Sequence, residues 1–296
     1  MVVLFALASA TAFALGTVLQ QKGTLQDDPG QQGAGQQGPG DLHFLTGLLT
    51  RPMWLLGGLV TAVGAVLNAV ALHLGTLAGV QALTTLSLVI ALPFGAWLTD
   101  QRITRTVVLG ALAVAVGIVL FVTVGAPQPG TTAPSGRDWW TAALISGVLV
   151  GIVASLGARK LGGLQAALFG AGAGLAFGLA SALTKQFTDV VGNGLAALLG
   201  SWELWALLGA GLVGLALGQS ALRTGTLAPA MAATNAATLL SSVTLGITVF
   251  GERLHHGSGR LVLVVVALAV VLAGVLLLAR APLPEPSTRG TPVSPR

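Results

Sequence analysis

Polar residues fall along this chain as short breaks between long apolar stretches, and few of the stretches carry a continuous polar face. About 20 consecutive apolar residues suffice to cross the hydrocarbon core of a bilayer as a helix. The pattern predicts nine such helices, over Val2–Leu19, Met53–Leu72, Leu77–Leu98, Val107–Val124, Trp139–Leu156, Leu164–Leu183, Leu204–Leu222, Leu227–Phe250 and Leu261–Leu278. Gly75 and Thr76 turn the second into the third as a tight hairpin. Two apolar pieces, Leu42–Thr50 and Leu195–Leu199, are too short to span and read as interfacial or re-entrant. Residues 26–41, rich in Gln and Gly, are expected to be a flexible loop, and the Pro/Ser/Thr-rich tail 281–296 to be disordered. Ala8-Ser9-Ala10 mimics a signal-peptide cleavage site, but no basic segment precedes it, so the first helix is expected to stay in place.

The pattern repeats. Gly75-Thr-Leu-Ala78 opens the third helix and Gly225-Thr-Leu-Ala228 the eighth; Asp100-Gln-Arg102 closes one and Glu252-Arg253 the other. A shift of 164 residues lays Leu4-Phe5 on Leu168-Phe169 and Phe13 on Phe177, and sets Ala6, Ala10 and Ala14 on Gly170, Gly174 and Gly178. Small residues one turn apart let helix backbones approach closely in lipid. A shift of 151 lays Trp54 on Trp205 and Asn68 on Gln219. The expected plan is a first repeat at 1–124 (helices one to four), a linker with the fifth helix at 125–160, and a second repeat at 161–280. An odd number of crossings between corresponding helices inverts the second repeat, a plan found in many secondary transporters.

Composition agrees. Charged residues are 8% of the 296 residues and the mean hydropathy is +0.87, whereas a soluble domain carries about 25% charged residues. With the N-terminus outside, ten of the 14 basic residues (Lys22, Arg51, Arg102, Arg105, Arg159, Lys160, Arg223, Arg280, Arg289, Arg296) fall on the cytoplasmic side. That bias predicts an N-out, C-in topology in the cell membrane. There is no Cys, hence no thiolate metal site or disulfide.

The helix ending in Asp100-Gln-Arg-Ile-Thr104, followed by Gly110 and Gly117, resembles the drug/metabolite transporter (EamA-like) superfamily, as does Gly251-Glu-Arg-Leu254. Within it the chain is most similar to NIPA-type magnesium transporters, through Gln21-Lys-Gly23, Trp54, Gly58, Gly64 and Asn68, and Ala221-Leu222 with Pro229. The resemblance runs to about residue 280 and implies a transporter, with magnesium as one cargo. Where NIPA-type chains carry Glu, three residues before the Asn, this chain has Ala65, and a hard dication takes oxygen ligands that normally include a carboxylate.

Candidate site residues follow from what is polar inside apolar helices. Asn68 and Gln219 occupy matching positions; otherwise they lock helix packing. Thr84 and Thr85, then Thr234, Asn235 and Thr238, lie on the two repeated helices, although Thr hydroxyls also bond their own backbone four residues back. Gln81 and His73 flank the hairpin, His73 most simply as a solvated edge residue. His255-His256 read as a loop pair. Lys22 and Lys185 end the first and sixth helices, where an ammonium complements the helix terminus or attracts substrate. Pro93 is expected to kink the third helix; Pro229 falls in the first turn of the eighth. Asp100, Asp138, Glu203 and Glu252 all fall at helix ends, leaving no carboxylate at mid-depth for a proton relay.

The reading is an all-α polytopic membrane protein, not an enzyme, with no cofactor and no protein-held metal. It moves a small neutral or zwitterionic metabolite by alternating access, its cavity lying between the second, third, seventh and eighth helices. A NIPA-like divalent-cation pathway and a non-transporting membrane assembly or lipid-handling protein are the alternatives. Expected partners are the lipid bilayer, the solute and, where the chain self-associates, a second copy in a homodimer; nucleic acid is not among them.

Overall fold

In a computed structural model the described residues are 1–25, 52–99, 105–130, 134–188, 199–224, 227–253 and 258–279. They form ten helices: α1 (Val2–Leu25), α2 (Pro52–Leu74), α3 (Leu77–Thr84), α4 (Leu86–Thr99), α5 (Arg105–Gly125), α6 (Gly136–Ala158), α7 (Gly162–Thr188), α8 (Trp202–Arg223), α9 (Leu227–Thr248) and α10 (Ser258–Ala279). Seven of the described helices (α1, α2 and α5 to α9) are long and apolar enough to cross a membrane; Leu77–Ala91 and Val262–Leu277 are shorter apolar stretches. Leucines and valines such as Leu59, Val66, Val116, Leu144, Leu212 and Val265 point outward. That surface is stable only against lipid, and the architecture is that of an integral membrane protein. The Gln/Gly-rich loop, both short apolar pieces, His255-His256 and the tail lie outside the described residues, except for Leu199 at the end of the second piece.

The predicted third helix is not continuous. Its ladder breaks at Thr85, between α3 and α4, eight residues before Pro93. The Thr84 and Thr85 hydroxyls both donate to the Gln81 carbonyl, at 3.0 and 2.9 Å, beside the Thr85 amide at 3.1 Å. The next bond, from Leu88 N–H to the Thr85 carbonyl, spans three residues instead of four. Hydroxyls competing for a backbone acceptor bend helices in this way. Pro93 lies within α4, and the break in the ladder falls ahead of it at the threonine pair.

Helices meet through glycine. A Cβ on Gly174 would collide with the Thr234 carbonyl, and one on Gly178 would lie 2.6 Å from the Ser241 side chain, so α7 lies directly on α9. Gly117 admits Val271 and Gly274 admits Val114, joining α5 to α10. Phe13 packs over Gly64 of α2, and Phe177 over Gly214 of α8. α1 packs on α2 and on α3–α4, as α7 packs on α8 and α9. One core cluster joins α3, α5, α9 and α10 around Ile118, Phe121 and Leu239; a second joins α1, α2, α3, α6, α7 and α9 around Leu72, Leu77 and Phe250.

Candidate functional site

The four amide protons at the start of a helix have no acceptor within that helix, and how α3 disposes of its own defines a polar buried place in the fold. Thr76 caps the helix: its hydroxyl accepts from Gly79 N–H at 3.1 Å and its carbonyl from Val80 N–H at 3.0 Å. The remaining two, from Leu77 and Ala78, donate to the carboxylate of Glu252, the second at 3.0 Å. Glu252 is 3% exposed. It reaches α3 because α9 ends at Thr248 and Gly251, in the left-handed conformation (φ 61°), folds the chain back, with Glu252 N–H on the Gly246 carbonyl at 2.9 Å. Gly246 leaves room for the carboxylate; a Cβ there would press on its Oε2.

Lys185 completes the group. Its ammonium donates to the carbonyls of Leu72, at 3.2 Å, and Gly75, lies 3.7 Å from Glu252 Oε1, and sits 5.5 Å above the Phe250 ring. The α2–α3 hairpin thus offers the negative end of one helix and the positive end of the next, and each receives its opposite charge from elsewhere in the chain. Lys185 serves the end of α2 and not that of its own helix, α7. Burial pushes the Glu252 carboxyl above the usual range, against the two N–H bonds and Lys185, which pull it down. Trp139 meets Phe250 and Trp202 edge-on at 5.8 and 5.6 Å, and Gln128 bridges Arg253. The starts of α1, α3, α6 and α8 therefore gather with the ends of α2, α5, α7 and α9 at one end of the bundle.

Asn68 is buried on α2, and its carbonyl oxygen has no partner among the described residues; Gln81 is buried on α3, with its amide nitrogen likewise unpartnered. Thr84 touches the Gln81 side-chain oxygen at 3.2 Å, so Gln81, Thr84 and Thr85 form one cluster. Gln219 is half-buried on α8, whose main neighbour is α7, whereas α2 lies chiefly on α1. The two symmetric amides thus sit on helices that are not packed on each other. On α9, Thr234, Asn235 and Thr238 are half-buried and bond back to Ala230, Met231 and Thr234 of the same helix at 2.9, 2.8 and 2.8 Å. His73 and Pro93 are exposed, Pro229 is half-buried, and Lys22 falls inside α1, which runs past its predicted end.

The sequence places Glu252 at a helix end, which is correct, and nothing in that position marks it as a site residue, because helix ends in membrane proteins usually meet water. The signal available was the Gly75-Thr-Leu-Ala78 turn, which opens a helix whose first amide protons need acceptors. Among the described residues no three of His, Asp and Glu converge as a metal site. A groove of about 250 Å³ lies elsewhere, between α6, α7 and α8, lined by apolar residues such as Val150, Leu179 and Val213; it contains none of the predicted site residues.

The chain is similar to an uncharacterised protein of Corynebacterium glutamicum, 29% identical over 279 residues that make up 94% of each chain. No protein-family profile matches it, and no solved structure matches it.

Proposed function

We propose that this protein is a secondary-type transporter that moves a small neutral or zwitterionic metabolite by alternating access between two inverted repeats. The observation that carries the reading is the pair of buried amide atoms without partners among the described residues, an acceptor on Asn68 and a donor on Gln81, inside largely apolar helices. Buried polar atoms are nearly always paired, and an unpaired donor and acceptor suit a solute that carries both. Inversion is supported by direction: α1 starts, and its counterpart α7 ends, at the hairpin end; α2 ends there and α8 starts there. Loop charge favours that end as the outer one, so Lys185 and Glu252 close the outer mouth. The superfamily resemblance supports the same reading.

The test is a thermal-shift screen of detergent-purified protein against metabolites and Mg²⁺, followed by uptake into liposomes. A stabilising metabolite should lose its effect in Asn68→Leu and Gln81→Leu, while the basal melting temperature of these variants stays near wild type. Uptake of Mg²⁺ in place of any metabolite would establish the divalent-cation pathway instead. Ligand-independent behaviour in wild type and variants alike would leave a membrane assembly.

A further inference from the structure

We propose that Glu252 is the proton-binding site of this protein: its carboxylate takes a proton from water as the α2–α3 hairpin closes over it, and returns it to water when that end opens. The inference rests on the alternating-access reading for its use, and on the hairpin geometry for its existence.

Glu252 is gripped by parts that separate if the hairpin leaves the end of α9. Two of its partners are backbone N–H groups of the hairpin itself, Leu77 and Ala78. The third, Lys185, is held to the same hairpin through the carbonyls of Leu72 and Gly75. Opening replaces all three by water and restores an ordinary carboxylate. Closing removes the water and leaves the group 3% exposed, where the charged form is penalised. Lys185 does not require the charge of Glu252, because two carbonyls and the face of the Phe250 ring already receive its ammonium. Neutralising Glu252 in the closed arrangement therefore strands no cation.

Among the described residues the other titratable groups around this end are His73 near the end of α2, the Met1 amine ahead of α1, Arg137 and Asp138 at the start of α6, Glu203 at the start of α8, Arg253, and Arg260 in the first turn of α10. Asp138 is engaged in capping its own helix through Ser135, and the Arg253 side chain is exposed. α3, α9 and the described loop 126–130 carry no acid or base.

The sign follows from burial. The closed carboxyl holds its proton more tightly than a carboxyl in water, so acid favours the closed hairpin and rising pH opens it. No bond other than O–H forms or breaks.

The chain has no cysteine, so single thiols report on the closure. Ala78→Cys places a thiol at a buried position beside Glu252, and Gln128→Cys a thiol at an exposed one. The rate at which a membrane-impermeant maleimide modifies the Ala78→Cys variant, divided by its rate on the Gln128→Cys variant to cancel thiol ionisation, should rise as the pH climbs above the ordinary carboxyl range. The rise should approach tenfold per pH unit at most, over the interval between the open and closed carboxyl values. Adding Glu252→Gln should make the ratio flat. Infrared titration should show a protonated-carboxyl band in wild type that is missing in Glu252→Gln. A flat ratio in the protein that retains Glu252, a ratio that falls with pH, or an infrared band unchanged by Glu252→Gln would each overturn the proposal, and the first two do not depend on the Gln variant folding. Solute uptake indifferent to a pH gradient would overturn the coupling and leave the transporter reading standing. A titrating Glu252 in a protein that moves no solute would support the proton site and overturn that reading instead.

Discussion

Lys185 and Glu252 show how two charges come to lie inside a protein with so few. Each is placed against a helix end of opposite sign, and each has backbone partners besides the other. The 3.7 Å between them makes Coulomb attraction the secondary part of the arrangement; the hydrogen bonds to the hairpin are the primary one. Replacing Lys185 with Met should leave the Leu72 and Gly75 carbonyls without the ammonium that they accept from. A loss of about 1–3 kcal/mol is expected, read as a lower melting temperature in detergent. Gly246→Ala should act on the same group from behind, since its methyl meets the carboxylate; overpacking of this kind costs about 1–3 kcal/mol. The Gly246 variant should also weaken the pH response, which a change elsewhere on α9 would leave alone.

At the scale of the element, glycine sorts the helices into packed and lipid-facing. Gly174 is pressed against the backbone of α9, whereas a Cβ on Gly151 of α6 would meet open space. Gly174→Ala should therefore destabilise by about 1–3 kcal/mol. Gly151→Ala should be neutral or stabilise by up to about 1 kcal/mol, through the better helix propensity of Ala. Comparing the two melting temperatures decides it; equal effects would mean that α7 and α9 are not in backbone contact. The break at Thr85 makes a further prediction. Thr84→Val with Thr85→Val removes the hydroxyls that compete for the Gln81 carbonyl, so amide exchange at Leu86–Leu88 should slow as the ladder closes.

For the whole molecule the pH dependence of stability is set by Glu252, the most deeply buried acid among the described residues. Glu252 is raised by burial, so its stabilising contribution is full below the ordinary carboxyl range and is lost as pH rises through the raised value. The melting temperature of wild type should fall relative to that of Glu252→Gln as the pH rises above the ordinary carboxyl range. The reverse slope would mean that the N–H bonds and Lys185 outweigh desolvation.

The amino-acid sequence by itself determined that the chain is helical and membrane-embedded, because hydrocarbon demands long apolar stretches and internal backbone pairing wherever a chain crosses it. It also marked out small residues at which helices meet, since close approach tolerates little else: Gly174 and Gly178, which the structure sets against α9. Only the tertiary structure decided which helix ends share a place. The amide protons of Leu77 and Ala78 are bonded to an acid more than 170 residues away (|i−j| = 175 and 174), and nothing local in either segment names the other. Asn68 and Gln219 are matched in sequence yet sit on helices that are not packed together, because a likeness between two segments carries no information about which of them touch. Hydropathy is a property of each residue taken alone; the partner of a buried charge is a property of the packed chain.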